Sequence, residues 1–148
     1  MTDNQAKERV ALTVRVLKDL KLLGLSPHKL KYDLCFKNYS SCYFGKYIRP
    51  GNKDFLPKIF IYLYKDSNNT ELYSYKDIIS TVIHEVCHHI QWSNPDFVRV
   101  KGVMHNKEFW DLWNSYMNKY YELTNEEKGE RYANSIKKSI RKGSHSTS

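Results

Sequence analysis

Residues 78–90 restrict the fold of this chain more than any other segment. If the segment is a helix, with about 100° of rotation per residue, its aliphatic side chains fall on one side, and His84 and His88 fall on the other. Ser74 lies just before the apolar run, where a helix N-cap is expected. The sequence therefore predicts a helix over residues 75–92, with a core face and an opposed face that carries two histidines.

The opposed face carries the motif H-E-x-x-H, made by His84, Glu85 and His88, and Gln91 falls on the same side of the helix. Histidines four residues apart lie one above the other on a helix, so their rings can bind one metal ion together. Glu85 is placed to accept a proton from a water molecule that the metal activates. The motif is typical of zinc-dependent hydrolysis, most commonly of a peptide bond.

A catalytic zinc ion usually has three protein ligands and one open position, so the helix needs a third ligand from elsewhere. His105 is the first choice, because it precedes a second amphipathic segment in which Phe109 and Trp113 recur at helical spacing. Glu108 and Glu122 are the alternative ligands.

The other histidines are not expected to bind the metal. His89 lies about 100° around the helix from His84, so its ring is predicted to face sideways. His28 follows Ser-Pro in a predicted turn, and His145 lies in a polar tail.

The two motifs together resemble the SprT-like metallopeptidases and the bacterial metal-dependent hydrolases of the YgjP and WLM type. The resemblance covers residues 30–115 and is carried by His84-Glu85-Val86-Cys87-His88 and His105-Asn106-Lys107-Glu108-Phe109-Trp110. It implies that zinc binds to His84, His88 and His105. It also implies that Glu85 acts as general base and then as general acid.

SprT-like relatives include proteases that cut DNA-bound proteins, so the resemblance implies substrates of that kind. The chain lacks the cysteine-rich zinc ribbon of some relatives, since Cys35, Cys42 and Cys87 show no metal-type spacing. The formal net charge is nevertheless +8. A cluster of basic residues lies near the end of the chain: Lys137, Lys138, Arg141 and Lys142. These residues could hold DNA non-specifically through its phosphates, or they could simply face solvent.

The order of elements predicts an α+β, zincin-like domain over residues 1–124 and a basic, polar tail over residues 125–148 that is partly helical or disordered. Its expected parts are an N-terminal helix, a small antiparallel sheet, the active-site helix, and a following helix that carries the third ligand. The first helix is predicted over residues 4–23, with an apolar stripe on Val10, Val14 and Leu17 that is widened by Val16, Leu20 and Leu23. Strands are predicted over 32–36, 42–48 and 59–64.

The strand 59–64 alternates aliphatic and aromatic residues, and its aliphatic residues, Ile59, Ile61 and Leu63, are expected to meet the helices. If this strand forms an edge of the sheet, it could bind an extended peptide as an additional strand. If it is paired on both sides, it supports the active-site helix. Both readings stay open at this point.

Three functions fit these patterns. The first is a zinc protease acting on a protein or peptide substrate, with Tyr116, Tyr120 and Tyr121 as candidate stabilisers of the oxyanion. The second is a zinc amidase for a small amide or a cell-wall peptide. The third is a non-enzymatic zinc module that binds nucleic acid, although a structural site has no use for Glu85. No signal peptide or transmembrane run is visible, so we expect a cytoplasmic monomer with no membrane partner.

Overall fold

The computed structural model describes residues 2–52, 54–98 and 102–124, which form four helices and one three-stranded sheet. The helices are α1 (Asp3–Leu22), α2 (Pro27–Leu30), α3 (Tyr75–Ser93) and α4 (Lys107–Thr124). The strands are β1 (Asp33–Lys37), β2 (Gly45–Ile48) and β3 (Lys58–Tyr62). The α+β class is therefore confirmed, whereas the predicted tail lies outside the described residues. None of the helices in the described ranges is both long enough and apolar enough to span a bilayer.

The sheet has the order β1-β3-β2, with β1 parallel and β2 antiparallel to β3. The predicted all-antiparallel sheet is therefore wrong for β1. Parallel neighbours need a crossover connection of about a dozen residues or more, and residues 38–57, which include β2, supply it. Alternation of apolar and polar residues reports which face a strand buries, but it does not report the direction of the strand.

The central position of β3 decides its role. It is paired on both sides, so within the described residues the edges of the sheet are β1 and β2. Ile59, Ile61 and Leu63 are almost completely buried, as predicted. The strand that precedes α3 thus supports the helix, and an edge lies instead at β2.

The N-terminal helix has two apolar stripes, and the core takes only one of them. Val16, Leu20 and Leu23 are buried, whereas the stripe through Val10, Val14 and Leu17 faces outward. Both stripes have helical spacing, so the pattern alone could not distinguish them. The buried stripe leads directly into Leu25, which is also part of the core.

The long helix α3 is the centre of the domain, with β2 and β3 on one side and α4 on the other. Its first turn is capped by Ser74, whose side chain accepts a hydrogen bond from the backbone of Asp77 at 3.2 Å. On the other side, the Trp113 ring of α4 donates from Nε1 to the Ser80 carbonyl at 3.3 Å. Asn106 caps α4 by accepting from the backbone of Phe109 at 2.9 Å. The two caps fix where each helix begins, and the contact between Trp113 and Ser80 joins the two helices.

The buried stripe of α1 gives a matched test of the fold. We expect Leu20→Ala to lower the free energy of unfolding by about 2–5 kcal/mol, because Leu20 is fully buried and its loss leaves a cavity. The same substitution at Leu17, which is 40% exposed, should cost less than about 1 kcal/mol. Urea unfolding of both variants measures the difference. Equal losses would mean that α1 does not bury the Leu20 face.

Candidate metal centre

Three histidines from two elements meet in one place. His84 and His88 lie one turn apart on α3, and His105 lies two residues before α4 begins. The Nε2 atom of His105 is 3.1 Å from Nε2 of His84 and 2.9 Å from Nε2 of His88. His84 and His88 are buried, and His105 is half-buried. The structure thus brings together the three histidines that the sequence singled out.

The chemistry of this group fits a metal ion. The side-chain oxygen of Gln91 lies 3.2 Å from Nδ1 of His88. Because an amide oxygen only accepts hydrogen bonds, this contact places the His88 proton on Nδ1 and leaves the lone pair of Nε2 facing the other two rings. Three converging imidazole nitrogens suit zinc, and equally copper, iron or nickel. The geometry therefore supports a metal site without selecting the metal.

Burial keeps His88 and His105 neutral. It lowers the pKa of His88 to about 4, with a smaller contribution from the nearby His105. Burial also lowers the pKa of His105 to about 4. Since only a neutral imidazole can bind a metal, the free site is ready for an ion at neutral pH.

Aromatic side chains of α4 hold the histidine rings in place. Phe109 stacks on His88, with ring centroids 4.4 Å apart and planes inclined by 22°. The His84 ring has Phe109, Trp110 and Trp113 around it at centroid distances of 5.0, 5.8 and 6.2 Å. Phe109 and Trp110, which follow His105 in the sequence, therefore line the site.

Glu85 follows His84 on α3 and is 5% exposed. Burial raises its pKa to about 8. Strand β2 passes very close to it at Gly45: a Cβ atom there would lie 3.1 Å from Cγ of Glu85 and 2.8 Å from Cγ2 of Thr81. A glycine was therefore required at this position of β2, and the sequence analysis missed it. An isolated glycine inside a strand, which often marks a close backbone approach, was the available signal.

The competing ligands do not enter the site. Within the described residues, the group of potential metal ligands contains only the three histidines, and neither Glu108 nor Glu122 belongs to it. The His89 ring faces sideways, as predicted. Its Nε2 donates to the Leu30 carbonyl at 2.6 Å, and its Nδ1 accepts from the Tyr47 hydroxyl at 2.8 Å. His89 is thus a buried structural histidine that joins three parts of the fold.

The tyrosines proposed for the oxyanion lie along α4. Tyr120 is close enough to Tyr75 to raise the pKa of that residue. This places Tyr120 near the first turn of α3, more than three helical turns from His88 at about 3.6 residues per turn. The structure therefore gives Tyr120 no place in the site.

No known protein-family model matches this chain, and comparisons with curated proteins and with solved structures find no significant similarity. The resemblance to SprT-like enzymes therefore depends on the two motifs and on the site that they form.

The burial of Glu85 predicts a pH-dependent stability in the metal-free protein. Its pKa is about 8 when folded and about 4.3 when unfolded. The protonated carboxyl therefore favours the folded state below about pH 4, and this stability is lost as the pH rises towards 8. Glu85→Gln cannot ionise, so it should exceed wild type by on the order of 3–4 kcal/mol at pH 7 and match it near pH 4.

Chemical unfolding in the presence of a chelator, at both pH values, measures this gain. Glu122→Gln changes an exposed glutamate of α4 in the same way and should follow wild type throughout. A pH-independent difference between Glu85→Gln and wild type would contradict the prediction.

Proposed function

We propose that this chain is a zinc-dependent metallopeptidase of SprT-like type, with a zincin-like active site. The observation that carries the proposal is the convergence of three imidazole Nε2 atoms beside a buried glutamate on the same helix. Structural zinc sites are closed by four protein ligands, whereas catalytic sites use three and keep a position open. Among the described residues the group has three ligands, which favours catalysis over a structural module.

The proposed mechanism divides the work between the metal and Glu85. A zinc ion held by His84, His88 and His105 would supply Lewis-acid chemistry, which polarises the scissile carbonyl and lowers the pKa of water. Glu85 takes the proton of the attacking water and passes it to the leaving nitrogen. A cation nearby lowers the pKa of a carboxyl group, so a bound ion would favour the ionised form of Glu85 that a base requires.

The position of β2 supports a peptide as the substrate. β2 is an edge of the sheet within the described residues, and its backbone passes Glu85 at Gly45. An extended peptide that adds to this edge by backbone hydrogen bonds would run past the general base. Tyr43 and Phe44, just before β2, and Trp92 near the end of α3 are exposed and can contact apolar side chains of such a peptide. A free strand edge beside the general base favours a peptidase over an amidase for small amides.

Association with DNA remains a prediction. The cluster at Lys137, Lys138, Arg141 and Lys142 lies outside the described residues, so its placement relative to the metal site is not defined. The proposed partner is therefore a protein or peptide substrate, and DNA-bound proteins are one class of it.

Metal content and hydrolysis test the proposal together. After chelation and refilling, wild type and Glu85→Gln should each bind about one zinc ion per chain, because both keep the three ligands. His105→Ala should lose tight binding, and His28→Ala, which removes an exposed histidine of α2, should retain it. With labelled casein and mixed-sequence peptides as substrates, Glu85→Gln should hydrolyse at least ~100-fold more slowly than wild type. Zinc-loaded wild type that cleaves neither substrate, or Glu85→Gln with wild-type rates, would contradict the proposed function.

The close approach of β2 gives an independent prediction. Gly45→Ala would place a methyl group 2.8 Å from Thr81 and 3.1 Å from Glu85, so the strand or the glutamate must move. We expect hydrolysis to fall by about 10-fold or more, since small displacements of a catalytic group are costly, while zinc content stays unchanged. Gly51→Ala is the matched control, because a Cβ atom there meets nothing within 4 Å. Equal activity of the two variants would show that the distance between β2 and Glu85 is unimportant.

A further inference from the structure

Gln91 is a buried polar residue beside the three histidines, and it takes no part in the proposed mechanism. It lies three residues after His88 on α3, and its side chain is buried, with 8% exposed. Its amide makes two contacts in different directions. The oxygen Oε1 is 3.2 Å from Nδ1 of His88, and the nitrogen Nε2 donates to the Met104 carbonyl at 2.8 Å.

The first contact orients a metal ligand. Because Oε1 can only accept, Nδ1 of His88 must carry the proton, and Nε2 is left free to bind an ion. A hydrogen-bond partner on the nitrogen that faces away from the metal selects the tautomer of a ligating histidine and holds its ring at the correct angle. Phe109 stacks on one face of the same ring. The hydrogen bond to Gln91 therefore holds the His88 ring at its edge, and Phe109 holds it at its face.

The second contact holds the segment that supplies the third ligand. Met104 directly precedes His105, and the segment reaches α4 from α3 through residues 94–106. The Met104 side chain is 60% exposed, so apolar burial does little to fix the chain at this point. The hydrogen bond from the Gln91 side chain to the Met104 carbonyl helps to fix it. Asn106, on the other side of His105, donates to the Val98 carbonyl at 2.9 Å and ties the segment to itself.

We propose that Gln91 is a positioning residue that assembles the metal centre by joining its two halves. Its oxygen sets the tautomer of His88 on α3, and its nitrogen holds the backbone that presents His105. The proposal rests on the metal site of the proposed function, but it concerns the affinity for the ion and not the reaction. One side chain thus links the two histidines of α3 to the segment that carries His105.

Two substitutions separate the two contacts. Gln91→Glu keeps an oxygen that accepts from His88 Nδ1 but turns the donor towards Met104 into a second acceptor. Gln91→Leu removes both contacts and keeps a similar volume. Tyr47→Phe is the matched control, because it removes the hydroxyl that donates to Nδ1 of His89, a neighbouring histidine that is not a ligand.

The experiment uses the full chain and zinc alone as the probe, with affinity measured by competition against a chromogenic chelator. We expect Gln91→Leu to weaken zinc binding about 10- to 100-fold, the usual effect of losing a hydrogen-bond partner of a metal-ligating histidine. Gln91→Glu should show a smaller loss. Tyr47→Phe should stay within about 2-fold of wild type, even if all three variants lose similar stability to urea. The absorption spectrum of the cobalt-substituted protein should change in both Gln91 variants and not in Tyr47→Phe.

Wild-type zinc affinity in Gln91→Leu, or an equal loss of affinity in Tyr47→Phe, would overturn the proposal. If Gln91→Leu fails to fold, Gln91→Glu decides: an unchanged zinc affinity and cobalt spectrum in that variant would overturn it as well. A wild-type protein that binds zinc but hydrolyses nothing would contradict the proposed function and leave this inference intact.

Discussion

The burial of α3 between the sheet and α4 is the constraint on which the rest of the structure depends. A helix buried on nearly all sides must satisfy every polar side chain that it carries. Ser80 and Thr81 bond back to the Asp77 carbonyl, and the His89 ring bonds to Leu30 and Tyr47. His88 is met by Gln91. Glu85 differs from these residues because burial alone shifts its pKa. In the proposed site, a cation would offset the cost of a buried carboxylate.

The sequence predicted α3 and β3 well because their periodicity is set by burial. The 3.6-residue spacing of α3 and the two-residue alternation of β3 each report which side chains meet the core. The direction and order of the strands depend on how a 20-residue connection crosses the sheet, and no residue pattern encodes that path. For the same reason the sequence did not identify β2 as an edge. On α1, two stripes of equal periodicity competed, and only packing against the core selected Leu20 over Leu17.

The candidate site divides in a similar way. His84, Glu85 and His88 share one helix, so their spacing alone put them together. His105 was identified from the aromatic residues that follow it. Phe109 and Trp110 indicate the start of α4, and they also pack against the histidines. Glu108 and Glu122 could be set aside only once distances were known. The contact between Gln91 and Met104 joins a helix to an irregular segment, and irregular segments have no period from which a contact could be predicted.

The route from His88 to His105 gives the metal a second consequence. Sixteen residues lie between these two histidines, and an ion bound to both would close the intervening chain into a loop. Such a closure acts as a cross-link, because it removes conformational freedom from the unfolded chain as well as adding bonds to the folded one. The ion would then hold α3 and α4 together in addition to taking part in the proposed reaction. The packing of α4 against α3 and the proposed hydrolytic activity would then both depend on the supply of metal.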